Sequence, residues 1–186
     1  MQRQQSMTNR AFGFMGIGIL LLTMTTGQAQ AASGNGPYYA EPTWSQKLPA
    51  ATRFVVLTDW NSEAVLDRET GLVWERSPAT RVETWSNARF TCVNKIVGGR
   101  KGWRLPAITE LTSLIDPSVI SSEPTLPSGH PFVGVLSVGY WSATTTAIDP
   151  RSAWNVLFGL GAVGANSKTD DDQVWCVRGG MNADQY

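Results

Sequence analysis

Between Gly102 and Leu114 the chain runs Gly-Trp-Arg-Leu-Pro and then Ala-Ile-Thr-Glu-Leu, the local pattern that leaves the fewest conformations open. The residue before a proline is pushed out of helical angles, so Trp103, Arg104 and Leu105 arrive extended. Pro106 then suits the first turn of a helix, where its missing N–H is no loss. Ile108, Leu111, Leu114 and Ile115 recur at helical spacing, and Glu110 in the first turn is favoured by the helix dipole. The pattern predicts an extended segment, a sharp turn and a short amphipathic helix. Glu110 is the expected partner of Arg104, in a buried, inward-facing pair that locks the helix start to the closing strands. The competing expectation is that Arg104 points into a ligand cleft and grips an anionic group.

Residues 1–31 read as a secretory signal peptide. Arg3 and Arg10 precede an apolar run from Ala11 to Leu22, and Ala29-Gln30-Ala31 supplies a cleavage site. The run is short of the roughly 20 residues that span a bilayer, so no membrane span is expected once the leader is gone. Residues 32–52, with four prolines and glycines by Pro42 and then Pro49, read as an exposed arm that Tyr38, Tyr39 and Trp44 could tack to the surface. One domain over 53–180 and a polar tail over 181–186 complete the expected organisation. Charge over the whole chain is balanced, and removal of Arg3 and Arg10 leaves 13 basic against 15 acidic residues. That balance gives no basic face for nucleic acid.

Eight tryptophans on a chain with eighteen glycines suggest a loop-rich fold whose core is built from a few large side chains. Residues 53–57 form a strand candidate, and residues 64–67 and 72–75 flank a glycine-closed turn as a hairpin. Thr84 is placed to cap a first helix carrying Trp85, Ala88, Arg89, Cys92, Val93 and Ile96 on its spacing, with Gly98-Gly99 as its stop. The proline-rich stretch 117–131 is either an ordered loop or a mobile lid. Residues 139–143, 153–158 and 173–178 read as strands, which makes the class α+β.

Cys92 falls on the first helix and Cys176 on the last strand. In an exported protein the pair is expected to be bridged, the alternative being two buried free thiols. Neither cysteine has ligand spacing to the single histidine, His130, so no metal site is expected there. No nucleophile stands beside a base, and no catalytic residue is assigned. Asp170, Asp171 and Asp172, with Asp149 before them, could offer oxygen ligands to calcium or form a solvated charge cluster. Tyr140, Trp141 and Trp154 could stack on a sugar or fill the core. Structural roles are expected for Trp74, Trp85, Trp103, Trp175 and Arg178, as for Arg104, Pro106 and Glu110.

From about Ala64 to Gly180 the chain resembles the Lcl C-terminal domain family of bacteria. The resemblance rests on Asp67…Thr70-Gly71-Leu72-Val73-Trp74, Thr84-Trp85…Ala88…Cys92, Gly102-Trp103-Arg104-Leu105-Pro106…Glu110-Leu111…Leu114, Tyr140-Trp141-Ser142 and Cys176-Val177-Arg178-Gly179. The Arg104-Leu105-Pro106…Glu110 element is also similar to that of formylglycine-generating enzymes. That likeness implies a C-type-lectin-like fold: two helices, small antiparallel sheets and long loops. Ala107 stands where the family usually has threonine, which removes the hydroxyl half of a capping box. The catalytic cysteines of formylglycine-generating enzymes have no counterpart. Val156 follows Trp154-Asn155 where a calcium-dependent lectin would place aspartate. The family's namesake is a surface adhesin that binds sulfated polysaccharide. The expectation is therefore an exported, non-enzymatic binding module, periplasmic or extracellular, for a glycan or another envelope or surface protein, without a cofactor. Two alternatives stand beside it: an enzyme using a cation held by the acidic loop, and a structural subunit of an envelope complex.

Overall fold

The computed structural model describes residues 48–119 and 124–179. The leader, the first part of the arm and the tail lie outside the described residues. The arm's last residues do not behave as an arm. Ala50–Arg53 form a helical turn, α1, in which Ala50 and Arg53 are buried, and the Leu48 N–H donates to Glu69 Oε1 at 2.6 Å. The ordered domain therefore includes residues 48–52 ahead of the expected start at 53, because Ala50 packs inside and Glu69 holds Leu48.

Two small sheets organise the described chain, and with a few short helices they make the class α+β. The first contains β1 (Phe54–Val56), β2 (Ala64–Asp67), β3 (Val73–Glu75) and β9 (Val177–Arg178), antiparallel in the order β1-β2-β3-β9. The second contains β4 (Ala79–Thr84), β5 (Gly139–Thr145), β6 (Ser152–Leu157), β7 (Ala162–Ser167) and β8 (Asp171–Val174), in the order β4-β8-β5-β6-β7. It is mixed, since β5 and β8 run parallel through Tyr140 and Gln173.

The expected closing strand over 173–178 is two strands in different sheets. Trp175 and Cys176 carry the chain from one to the other. Both are tied to β3 there: Trp175 Nε1 donates to the Glu75 carbonyl at 2.9 Å and the Cys176 N–H to Glu75 Oε2 at 3.1 Å. β4 and β7 had no strand signal in the sequence. β4 carries a bulge between Ala79 and Val82, and β7 is built of small residues aligned by six consecutive pairs with β6.

Helix α2 spans Trp85–Asn94 and buries Trp85, Ala88 and Cys92. Thr84 stands at its N-cap but makes no side-chain cap bond. The helix also stops before Gly98-Gly99. Lys95 is already extended, and the two glycines instead close a tight turn bridging Val97 and Arg100. Helix α3 spans Ile108–Thr112 with Ala107 as N-cap, so Pro106 sits one residue ahead of the cap rather than in the first turn. Its carbonyl accepts the Ala143 N–H at 2.7 Å, which fastens the turn to β5. Glu110 Oε2 accepts the Ala107 N–H at 2.8 Å, one half of a capping box whose other half alanine cannot supply.

Cys92 and Cys176 are bonded, with Cα atoms 5.5 Å apart and both side chains fully buried. One core cluster gathers Trp74, Phe132, Tyr140, Phe158 and Trp175 in edge-to-face and tilted ring contacts. The other places Trp85, Trp103, Leu105 and Trp141 around the disulfide. Of the proline-rich stretch, residues 124–131 follow the ordered-loop expectation: the Thr125 N–H and hydroxyl both donate to the Phe158 carbonyl, and Leu126 and Pro127 are buried.

Candidate functional site

The turn between Lys95 and Gly102 separates two surface features. On one side stands Trp60, half-buried in the 3-10 turn Thr58–Trp60. Gly98, at φ +57°, lies so close that a Cβ there would be 2.5 Å from the Trp60 Cβ, so only glycine lets the turn pack on this tryptophan. The guanidinium carbons of Arg100 and Arg178 each lie 5.4 Å from the Trp60 ring centroid. Arg178 Nε donates to the Lys101 carbonyl at 2.9 Å, which brings Lys101 to the same place. Among the described residues none of these three cations forms an ion pair. The two guanidinium groups lie over the indole, so the set is a cationic face built on Trp60. In the sequence only the Arg100-Lys101 pair after two glycines hinted at it; Trp60 is isolated and carried no signal.

On the other side of the turn is a cleft of about 440 Å³. Its floor is Glu75, 4% exposed, whose Oε1 meets Lys95 Nζ at 2.5 Å while Oε2 takes the Cys176 N–H. The Lys95 N–H in turn donates to the Cys92 carbonyl at 3.1 Å, so both disulfide residues hold this ion pair by their backbones. Ser62, Glu63, Arg76 and Ser77 form one wall, and the exposed apolar side chains of Ile96 and Val133 rim the opening.

Arg104 and Glu110 form the expected pair, with two contacts of 2.6 and 2.7 Å, and Arg104 also donates to the Gly179 carbonyl at 2.6 Å. The Arg104 backbone exchanges both hydrogen bonds with Val177. The pair thus ties the start of α3 to β9. It is not fully buried, since the side chains keep 12% and 17% of their exposure. Solvent at both heads places its contribution below the roughly 3–5 kcal/mol of a sealed pair.

Tyr140 and Trp141 are completely buried, so in this structure they fill the core and present no stacking surface. Trp141 Nε1 donates to the Glu83 carbonyl and Tyr140 Oη accepts the Leu136 N–H. Trp154 is the half-exposed member of that aromatic trio. Of the indoles given structural roles, Trp74, Trp85, Trp103 and Trp175 are all buried. His130 lies in its loop, where Nδ1 accepts the Phe132 N–H at 3.2 Å.

The acidic run divides. Asp170 and Asp171 are exposed, whereas Asp172 turns inward and accepts hydrogen bonds from Asn155 Nδ2 at 2.7 Å and Asn166 Nδ2 at 2.9 Å. Asp172 and Asn155 meet across Gly139, where a Cβ would fall 2.6 Å from the aspartate oxygen. The structure therefore does not bring Tyr140, Trp141 and the three aspartates to one open cleft. No group of three or more His, Cys, Asp or Glu side chains is arranged to hold a metal ion among the described residues.

Burial raises the pKa of Glu75 against the attraction of Lys95, and raises that of Asp172 against its two amide donors. In the window between the unfolded and folded values, the native state keeps protons that the unfolded chain has released. Stability from these two groups is thus greatest below about pH 4 and falls as pH rises through the window. Melting temperatures followed from about pH 4 to pH 7 should drop more steeply for the natural chain than for Glu75→Gln/Asp172→Asn. Parallel profiles would refute the assignment.

The described residues form an α+β domain stapled by one buried disulfide. The chain belongs to the Lcl C-terminal domain family, whose family model matches residues 63–178. No curated protein matches the chain.

Proposed function

We infer that this chain is an exported, non-enzymatic binding module whose ligand is a glycan bearing anionic groups. The observation that carries the reading is the pair of guanidinium groups, Arg100 and Arg178, over the Trp60 ring, with the Lys101 backbone beside them and no carboxylate among the described residues paired to any of the three. The indole holds the two guanidinium groups by cation–π contact, and guanidinium forks suit sulfate or carboxylate oxygens. The namesake's affinity for sulfated polysaccharide, in a family to which this chain belongs, points the same way. Export is supported by the leader-like N-terminus and by a disulfide, which persists in oxidising compartments. A C-type-lectin-like fold is the arrangement we assign to the two sheets and to α2 and α3.

The test is calorimetry against a sulfated polysaccharide and its desulfated form. The sulfated form should bind with an affinity that falls as salt is added. Arg100→Ala/Arg178→Ala should lose about tenfold or more, equivalent to about 1.4 kcal/mol, while melting near the natural chain. Equal binding of both polysaccharides, or of natural and variant chains, would sink the reading.

A further inference from the structure

We propose that the cleft beside the disulfide is a second binding site, and that it takes a small zwitterion: a free α-amino acid with an aliphatic side chain. Four charged side chains line the cleft, and two of them cancel. Lys95 and Glu75 are paired on the floor, and the second Glu75 oxygen is taken by the Cys176 N–H. The other two are Arg76 and Glu63, which come from adjacent strand ends; the Arg76 N–H donates to the Glu63 carbonyl at 2.9 Å. Their heads nevertheless form no ion pair with each other or with any other described residue.

Each head is held apart by the backbone. Arg76 Nε donates to the Pro131 carbonyl at 3.1 Å and Nη1 to the Ser62 carbonyl at 3.3 Å, which leaves Nη2 without an acceptor among the described residues. Glu63 Oε2 accepts the Gly98 N–H at 2.6 Å, which leaves Oε1 without a donor among the described residues. One cationic and one anionic head, fixed separately at the wall of one cleft, match a ligand carrying both charges. A neutral sugar would leave both unanswered, and a lone anion on Arg76 would sit against Glu63 and Glu75. Ile96 and Val133, 57% and 52% exposed at the opening, supply apolar surface for an aliphatic side chain. This site shares no side chain with the Trp60 face, so either can fail without the other.

The experiment is calorimetry of the full exported chain with leucine, leucinamide (no carboxylate), N-acetyl-leucine (no ammonium) and glucose. Leucine should bind, and each of the other three at least about tenfold more weakly. Arg76→Gln should abolish the preference for leucine over leucinamide, and Glu63→Gln the preference over N-acetyl-leucine. If either variant fails to fold, Ser77→Trp blocks the cleft wall from an exposed position without removing a charge, and should abolish leucine binding. No heat with leucine, equal affinity for leucine and a blocked analogue, or undiminished binding by Ser77→Trp would each overturn the proposal.

Discussion

Replacing both disulfide residues, Cys92→Ala with Cys176→Ala, is expected to cost the domain about 3–4 kcal/mol and to lower its melting temperature by roughly 10 °C. The bond joins positions 84 residues apart, so it removes a large share of the freedom of the unfolded chain. The loop-closure relation gives about 4–5 kcal/mol for that length, and residual structure in the denatured state reduces it. The native state loses as well. Both sulfurs are fully buried in the cluster with Trp85, Trp103 and Trp141, so two alanines leave unfilled volume there. The backbone bonds from Cys176 to Glu75 and from Lys95 to Cys92 lose their covalent brace. Urea unfolding separates the two contributions. Release of the cross-link should raise the m-value, because the denatured chain then exposes more surface, whereas the packing loss lowers the midpoint alone. A double variant that melts within about 2 °C of the natural chain would mean that the bond is ornamental.

What could be read from the sequence was local or covalent. Pro106 dictated an extended approach, and Ile108 and Leu111 a helix, although it ends at Thr112, before Leu114. The β2–β3 hairpin followed from Gly71 between two β-rich runs. The cysteine pair followed from compartment and count. What escaped depends on neighbours. β7 is Ala-Val-Gly-Ala-Asn-Ser, with little β propensity of its own, and it is a strand because β6 offers six partners in register. Residues 173–178 read as one apolar strand, yet the chain changes sheets at Trp175-Cys176 because the disulfide and Glu75 hold that corner. Tyr140 and Trp141 looked equally suited to a core or a sugar, and only the packing of both sheets decides. The two surface features escaped for the same reason. Trp60, Arg100 and Arg178 lie far apart in sequence and meet because Gly98 allows a turn against Trp60. Glu63, Arg76 and Lys95 converge only once α2 ends early at Asn94.

Arg53→Ala is the single substitution expected to cost most, about 3–5 kcal/mol. The sequence suggested Arg104 and Glu110 as the sealed pair, but the sealed pair is Arg53 with Asp67, at side-chain exposures of 3% and 0%. Arg53 Nε and Nη2 reach the two Asp67 oxygens at 2.9 and 2.7 Å, Nη2 also donates to the Ser113 carbonyl at 2.9 Å, and Nη1 meets Glu69 at 2.8 Å. One guanidinium therefore joins α1, the β2–β3 turn and the end of α3, with its carbon 4.7 Å from the Phe54 ring centroid. Asp67 opens the family's Asp…Thr-Gly run, whereas Arg53 lies ahead of the matched residues, so the lock is completed by chain outside the family match. Truncating Arg53 leaves a carboxylate in the interior with, among the described residues, only the Glu69 N–H to answer it, at 3.0 Å. Arg53→Lys keeps the charge but cannot form the fork and the Ser113 bond together, so it should fall between the natural chain and the alanine variant. Removing both charges of the sealed pair, Arg53→Met with Asp67→Leu, should cost less than Arg53→Ala alone, because the fully buried carboxylate is no longer stranded and Glu69, the remaining partner, keeps 14% of its exposure. Urea midpoints for the three variants test the order. If the double variant is the least stable, the penalty lies in lost turn geometry at Asp67 and not in an unanswered buried charge.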